Sequence, residues 1–281
     1  MRVNENCAAC LYDKQYHVCK DPEYLEEVRQ IIDRRTENDT APYLVYLFGQ
    51  AYERHFGKRV SYSGIKKQFN DLVLSMEKSL REVIESDSDS LGKAMVFARI
   101  GNYIDFGAMN HVDQETFLNL FRNAQLSSRD IPVMESFKDQ CRTAKNFLLI
   151  ADNCGEIILD KLFLQQLTKQ FPQLATAVMV RGGEVLNDAT AEDALYAGIG
   201  DCARIISNGN TVAGTVYGML SGEAKEAIDK ADVILSKGQG NYESLCRQGR
   251  HIFYSFLCKC DLFTGRFNVP KLTGMLVEEY S

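Results

Sequence analysis

Residues 147–161 read Phe147-Leu148-Leu149-Ile150-Ala151-Asp152-Asn153-Cys154-Gly155-Glu156-Ile157-Ile158-Leu159-Asp160-Lys161. An apolar run gives way to a polar turn, and the turn opens into a helical pattern. The same succession recurs down the chain. Short apolar runs at 147–150, 177–180, 204–206, 233–235 and 252–257 each end in Gly, Asn, Asp or Lys. Helix-like segments at 157–170, 191–198, 213–230 and 242–249 lie between them, each long enough to cross over a sheet. Continuous apolar strands alternating with crossover helices predict an α/β fold, a three-layer α/β/α arrangement around a mainly parallel, Rossmann-like sheet.

Upstream the period changes. The first ~140 residues carry apolar positions at helical spacing, so the chain is expected to divide into an all-helical N-terminal region at 1–140 and an α/β/α domain at 141–281. Asp21-Pro22 followed by Glu23, Glu26 and Glu27 marks a helix start, with a capping carboxylate, proline in the first turn and acids at the positive end of the dipole. Further helices are expected from Pro42 to Gly57 and from about Ser63 to Glu85, and the polar stretch 86–90 reads as a loop with a helix cap.

The 281 residues, 45% of them hydrophobic, suffice for a large core. A net charge of -6 argues against a general nucleic-acid or anionic-membrane binder, though not against a small anionic ligand held by local lysines. No stretch approaches the ~20 apolar residues of a membrane span, and residues 1–6 lack the apolar region of a signal peptide. Nine cysteines, several inside apolar runs, fit reduced thiols in a cytoplasm better than a disulfide framework.

In a sheet of this kind ligands bind outside the C-terminal ends of the strands. Those ends carry Asp152-Asn153-Cys154-Gly155-Glu156, Arg181-Gly182-Gly183 to Asn187-Asp188-Ala189-Thr190, Ser207-Asn208-Gly209, Lys237-Gly238-Gln239-Gly240-Asn241-Tyr242-Glu243 and Cys258-Lys259-Cys260-Asp261. Each alone reads as a helix cap, a turn glycine or a surface lysine. Their joint occurrence on one sheet edge points instead to metal-assisted phosphate handling. Asp152, Asn153 and Asp188 offer hard oxygen ligands suited to Mg²⁺ or Mn²⁺ and leave positions for water and a phosphate oxygen. Lys237 and Lys259 could neutralise the remaining phosphate charge, and the glycines let backbone N–H groups approach an anion. A Gly-x-Gly-x-x-Gly loop, a Gly-x-x-x-x-Gly-Lys-Ser/Thr loop and an Asp-x-Asp nucleophile after the first strand are all absent from the sequence.

The segments Asp152 to Glu156, Gly182-Gly183 to Thr190, and Ser236 to Leu245 resemble the damage-control phosphatase family, long catalogued only as a domain of unknown function. Gly101-Asn102-Tyr103-Ile104-Asp105-Phe106-Gly107 is similar as well, and Cys7-Ala8-Ala9-Cys10 looks like the mark of its cysteine-containing subfamily. The resemblance implies a helical region packed on an α/β/α domain and a phosphatase that uses a divalent metal (Mn²⁺, Co²⁺, Ni²⁺ or Mg²⁺) on small phosphometabolites such as sugar phosphates. It implies that Asp152, Asn153 and Asp188 hold the metal and that Lys259 binds phosphate. By the same resemblance Gln239, Gly240 and Asn241 line the substrate pocket beside Lys237 and Gly238, Glu156 sits next to the metal, and Asn102 and Asp105 lie at the mouth. This chain departs from the family pattern at Cys154, usually Ala, and at Asp261, usually Pro.

A metal would polarise the phosphate and ionise or position a water. Asp152 or Asp188 could serve as base or nucleophile, and the residues leave that open. So is the role of Cys7-x-x-Cys10, for which structural, metal-binding and redox readings all stand. A Rossmann-like methyltransferase and a non-catalytic sensor of a metal and a phosphometabolite are the competing readings.

Overall fold

A computed structural model describes residues 1–101, 121–122 and 124–280. Its centre is a six-stranded sheet of β1 (Asn146–Ile150), β2 (Ala175–Val180), β3 (Arg204–Ser207), β4 (Val233–Lys237), β5 (Ile252–Leu257) and β6 (Gly274–Glu279). The spatial order is β3-β2-β1-β4-β5-β6. The first five strands are parallel to their neighbours, and β6 runs antiparallel to β5. The five strands expected from the sequence are all present. The sixth lacked a signal because no crossover helix precedes it: the chain turns back after a seven-residue helix and enters the sheet edge from the opposite direction.

Alternate residues of a strand face opposite sides, and β1 feeds two cores in this way. Phe147 and Leu149 join one apolar cluster, Leu148 and Ile150 the other. Every residue of β4 and β5 is buried, as expected for strands covered on both faces. The first cluster is closed by α4 (Ser63–Glu85), α5 (Ser90–Ile100), α6 (Asp130–Thr143) and α7 (Glu156–Gln170). The second is closed by α9 (Gly222–Lys230), α10 (Gln239–Leu245) and α11 (Asp261–Phe267). The short α8 (Ala191–Tyr196) follows β2.

The helices before β1 fall into two groups. α1 (Glu5–Val18), α2 (Pro22–Asp33) and α3 (Ala41–Phe56) enclose a separate cluster around Tyr24, Val28, Leu44 and Phe48. α4, α5 and α6 instead share the core of the sheet. Local chemistry explains the helix starts. Asp21 accepts from Tyr24 N at 3.0 Å with Pro22 in the first turn of α2, and Asp89 accepts from Gly92 N at 3.0 Å to begin α5.

One expected helix is shorter than its pattern. Of residues 213–230 only Gly222–Lys230 form α9, capped by Ser221. Upstream, a Cβ on Gly214 would lie 2.5 Å from Ser244 Oγ and 2.8 Å from Gly240 O. Thr215 N donates to Ser244 Oγ and Gly214 O accepts from Arg181, so this backbone is engaged with neighbours rather than with a helical ladder.

Candidate functional site

β1 is bonded to β2 on one side and to β4 on the other; the connection leaving β1 runs toward β2 and the one leaving β4 toward β5, so the switch point of the sheet lies at the C-terminal ends of β1 and β4. Asp152 and Asn153 leave β1 at this point. The loop after β2 doubles back beside them: Ala189 N donates to Asp152 O at 2.8 Å, Cys154 N to Asn187 O at 2.8 Å, and Asn153 pairs with Asp188 in an isolated antiparallel bridge. Residues 152, 153 and 188, 36 positions apart in sequence at most, are thereby brought together by backbone bonds.

Arg181, which the sequence reading did not single out, organises this group. It is 2% exposed at the end of β2. Its Nε donates to Asp188 Oδ2 at 2.6 Å, its Nη1 to Asn241 Oδ1 at 3.0 Å, and its Nη2 lies 3.7 Å from Asp152 Oδ1. An arginine closing an apolar run immediately before Gly-Gly was the available signal. Asn70 of α4 was also missed. It accepts from Gly155 N at 2.7 Å and donates to Asp193 at 3.1 Å, fastening the helical region to the start of α7.

Asn153 Nδ2 donates to Asp152 Oδ2 at 2.8 Å and to Glu156 Oε2 at 3.1 Å. Both partners are acceptors, which fixes the amide orientation and turns Oδ1 the other way. Glu156 in turn accepts from Lys237 Nζ at 2.7 Å, and Lys237 also meets Asp160 Oδ1 at 2.6 Å and Ala98 O at 2.9 Å. Glu156, Asp160 and Lys237 are all 0% exposed. Lys237, expected from the sequence beside the phosphate, thus sits in the core beneath Asn153, together with Glu156, which was expected beside the metal and bonds the Asn153 amide. The physical reason is alternation: an ammonium with three buried acceptors on the α5–α7 side has no group left to offer the crevice.

The remaining candidates divide similarly. Asn241 is fully buried and donates to Ala151 O and Lys237 O while accepting from Arg181 and Thr215, so it ties the ends of β1 and β4 together. Gln239 Oε1 accepts from Lys259 N at 2.5 Å and holds the loop after β5. Gly238 has φ +79°, and a Cβ there would lie 1.9 Å from Asp152 Oδ2. Gly240 packs against Ala213 O. Lys259 is half-buried and borders a cavity with Asn187. Asn102 and Asp105 lie outside the described residues.

Electrostatics favour an added cation. Burial pushes the Asp152 carboxyl up, the charges of Asp188 and Glu156 push it further, and Arg181 and Lys259 act against them. Burial likewise raises Asp160, opposed by Lys237. Among the described residues no three His, Cys, Asp or Glu side chains converge on a metal-sized site. The donor set is two carboxylates and one amide oxygen, chemistry that fits a hard divalent cation with open positions. All nine cysteines are free thiols, and Cys7 and Cys10 lie on α1.

The fold and this site define a class. A family model described as the damage-control phosphatase ARMT1-like domain matches residues 3–273. The chain belongs to that family, and with it to the hydrolases that act as damage-control phosphatases. It is 27% identical to a damage-control phosphatase of Archaeoglobus fulgidus, over 93% of each chain. It is 32% identical to a damage-control phosphatase of Pyrococcus horikoshii over 66% of this chain and 63% of that one. A third relative is an uncharacterized protein of Methanocaldococcus jannaschii, 31% identical over 71% of this chain and 67% of the other. The crystal structure of a DUF89 family protein from Pyrococcus horikoshii matches the fold with a TM-score of 0.83 at 23% identity, covering 99% of both chains. No helix among the described residues is long and apolar enough to cross a membrane.

Proposed function

We propose that this phosphatase is a divalent-metal-dependent phosphomonoesterase acting on small phosphorylated metabolites. Asp152, Asn153 and Asp188 would hold the metal, and Lys259 would bind the phosphoryl group. The observation that carries the reading is the meeting of these three oxygen donors at the switch point of the sheet, backed by Arg181 and Glu156. Bound there, a divalent ion would polarise a phosphate oxygen and lower the pKa of a water. Lys259 would offset charge on the phosphoryl oxygens, and Asp152 or Asp188 would accept the proton of the attacking water or attack directly. The names of the Archaeoglobus and Pyrococcus relatives support the same class of reaction.

The test is phosphate release from a panel of phosphomonoesters, sugar phosphates among them, after chelation and after return of Mn²⁺, Co²⁺, Ni²⁺ or Mg²⁺. Metal-restored release is expected, and its loss in Asp152→Ala. Binding of a phosphorylated ligand with no release under any metal would instead make the protein a sensor.

A further inference from the structure

A cavity of about 960 Å³ opens beside Lys259 and Asn187, between α1–α3 and the loops at the strand ends. Its wall mixes apolar and aromatic side chains, Val45 and Tyr46 of α3, Tyr62, and Val185 and Leu186 of the loop after β2 among them, with polar ones such as Gln50, Arg59 and Thr211. That loop is fastened to the helical side, since Tyr62 N donates to Glu184 Oε1 at 2.6 Å. The wall therefore joins both parts of the chain. Burial pushes the Tyr24 and Tyr62 phenols up. Asn187 directly precedes Asp188, and Lys259 carries the charge that opposes the raised carboxyl of Asp152, so the cavity begins where the phosphoryl end of the site stops.

The volume lies at the upper end of the ~300–1,000 Å³ found for pockets that enclose drug-sized ligands. A phosphoryl group and a metal ion do not fill such a space. A compact sugar would find partners for some of its hydroxyls there but would leave most of the apolar wall uncovered.

We propose that this cavity receives the alcohol portion of the substrate, and that the preferred substrates are phosphomonoesters of a large apolar or aromatic-bearing alcohol rather than of a compact polyol. The proposal rests on the phosphomonoesterase reading above and narrows its substrate class. The phosphoryl group would lie against Lys259, and the alcohol portion would extend past Leu186 toward α3.

Gly49 supplies the test. It lies within α3 on the cavity wall, and a Cβ there would meet nothing within 4 Å. Gly49→Phe should obstruct the cavity beside α3, and removing a mid-helix glycine favours the helix. The measurement is kcat/KM for glycerol phosphate, hexyl phosphate and 2-naphthylethyl phosphate, alkyl esters whose alcohols leave with similar ease. In the metal-loaded natural chain the naphthylethyl ester should exceed glycerol phosphate by about tenfold or more. Gly49→Phe should cancel that advantage, lowering kcat/KM for the naphthylethyl ester about tenfold more than for glycerol phosphate. Equal or reversed preference in the natural chain overturns the proposal, as does equal loss for all three esters in the variant. Calorimetry with 2-naphthylethyl phosphonate, which cannot be hydrolysed, separates the two failures. If no ester is hydrolysed under any metal, the phosphatase reading fails, while phosphonate binding weakened at least tenfold by Gly49→Phe still supports the cavity assignment. Binding unchanged by the variant overturns it.

Discussion

At the residue scale, Asp152 and Lys237 illustrate two different fates for a buried charge. Asp152 is held among other carboxylates with only partial relief from Arg181 and Lys259, an arrangement that makes sense if a cation completes it. Replacing it with Asn removes the negative charge proposed to hold the metal and also relieves repulsion with Asp188. The expected outcome is a loss of metal-dependent phosphate release of about a thousandfold or more, with a metal-free melting temperature equal to or above that of the natural chain. A large fall in the metal-free melting temperature would show that Asp152 serves the fold. Lys237 is the opposite case. Its ammonium is saturated by Glu156, Asp160 and Ala98 O with no exposure at all. Lys237→Met strands two carboxylates in the core and should cost about 3–5 kcal/mol in urea unfolding. Adding Asp160→Asn to that variant should recover part of the loss, because one stranded charge is then removed. If Lys237→Met were as stable as the natural chain and merely raised KM, Lys237 would be a phosphate ligand after all.

At the scale of elements, the decisive piece is the turn from β4 into α10. Gly238 takes φ +79° and ψ 158°, a region that side chains other than glycine avoid. The same residue leaves room for the Asp152 carboxylate, which a Cβ would displace outright. Gly238→Ala should therefore weaken metal binding by about 10–100-fold, as perturbations behind a ligand do, with a strain cost of about 1–3 kcal/mol. Calorimetric titration with Mn²⁺ checks this, and unchanged affinity would mean that the metal is held elsewhere. The neighbouring turn after β1 works by a complementary device. Asn153 is oriented by Glu156 from the first turn of α7, so the helix that follows the strand also aims the strand-end amide.

At the scale of the molecule, α4 fastens the helical region to the sheet through charge. Lys66 lies 2.7 Å from Asp193, which also accepts from Thr190 in the capping box of α8. Burial pushes the Asp193 carboxyl up, but Lys66 and Thr190 outweigh it and hold the group below its usual range. A carboxyl with a folded-state pKa below its unfolded value adds stability that is present above the unfolded value, near 3.8, and lost as pH falls through the folded one. Unfolding free energy should thus decline on acidification below about pH 4, and Asp193→Asn should be less stable at pH 7 but show a flatter decline. Parallel acid limbs for the two proteins would remove Asp193 from this role. Glu27, held down first by Arg54, adds to the same limb from the α2–α3 pair.

The sequence by itself determined the layers and the chemistry along one edge. Apolar runs of strand length, separated by helical segments, required a parallel sheet, and strand ends bearing Asp152, Asn153, Asp188 and Lys259 followed from the rule for where such sheets bind. These were legible because they depend on local periodicity and on order along the chain. Direction and depth were not. Whether a strand-end lysine faces the crevice or the core depends on which side of the strand it occupies and on what packs there, so Lys237 and Lys259 look alike in sequence and differ completely in place. The grip of Arg181 on Asp188, the strut role of Asn241 and the antiparallel β6 all arise from pairings between distant segments. The cavity beside Lys259 is likewise made by helices and loops more than a hundred residues apart. Tertiary structure alone decided these, because each is a property of facing surfaces that local pattern does not encode.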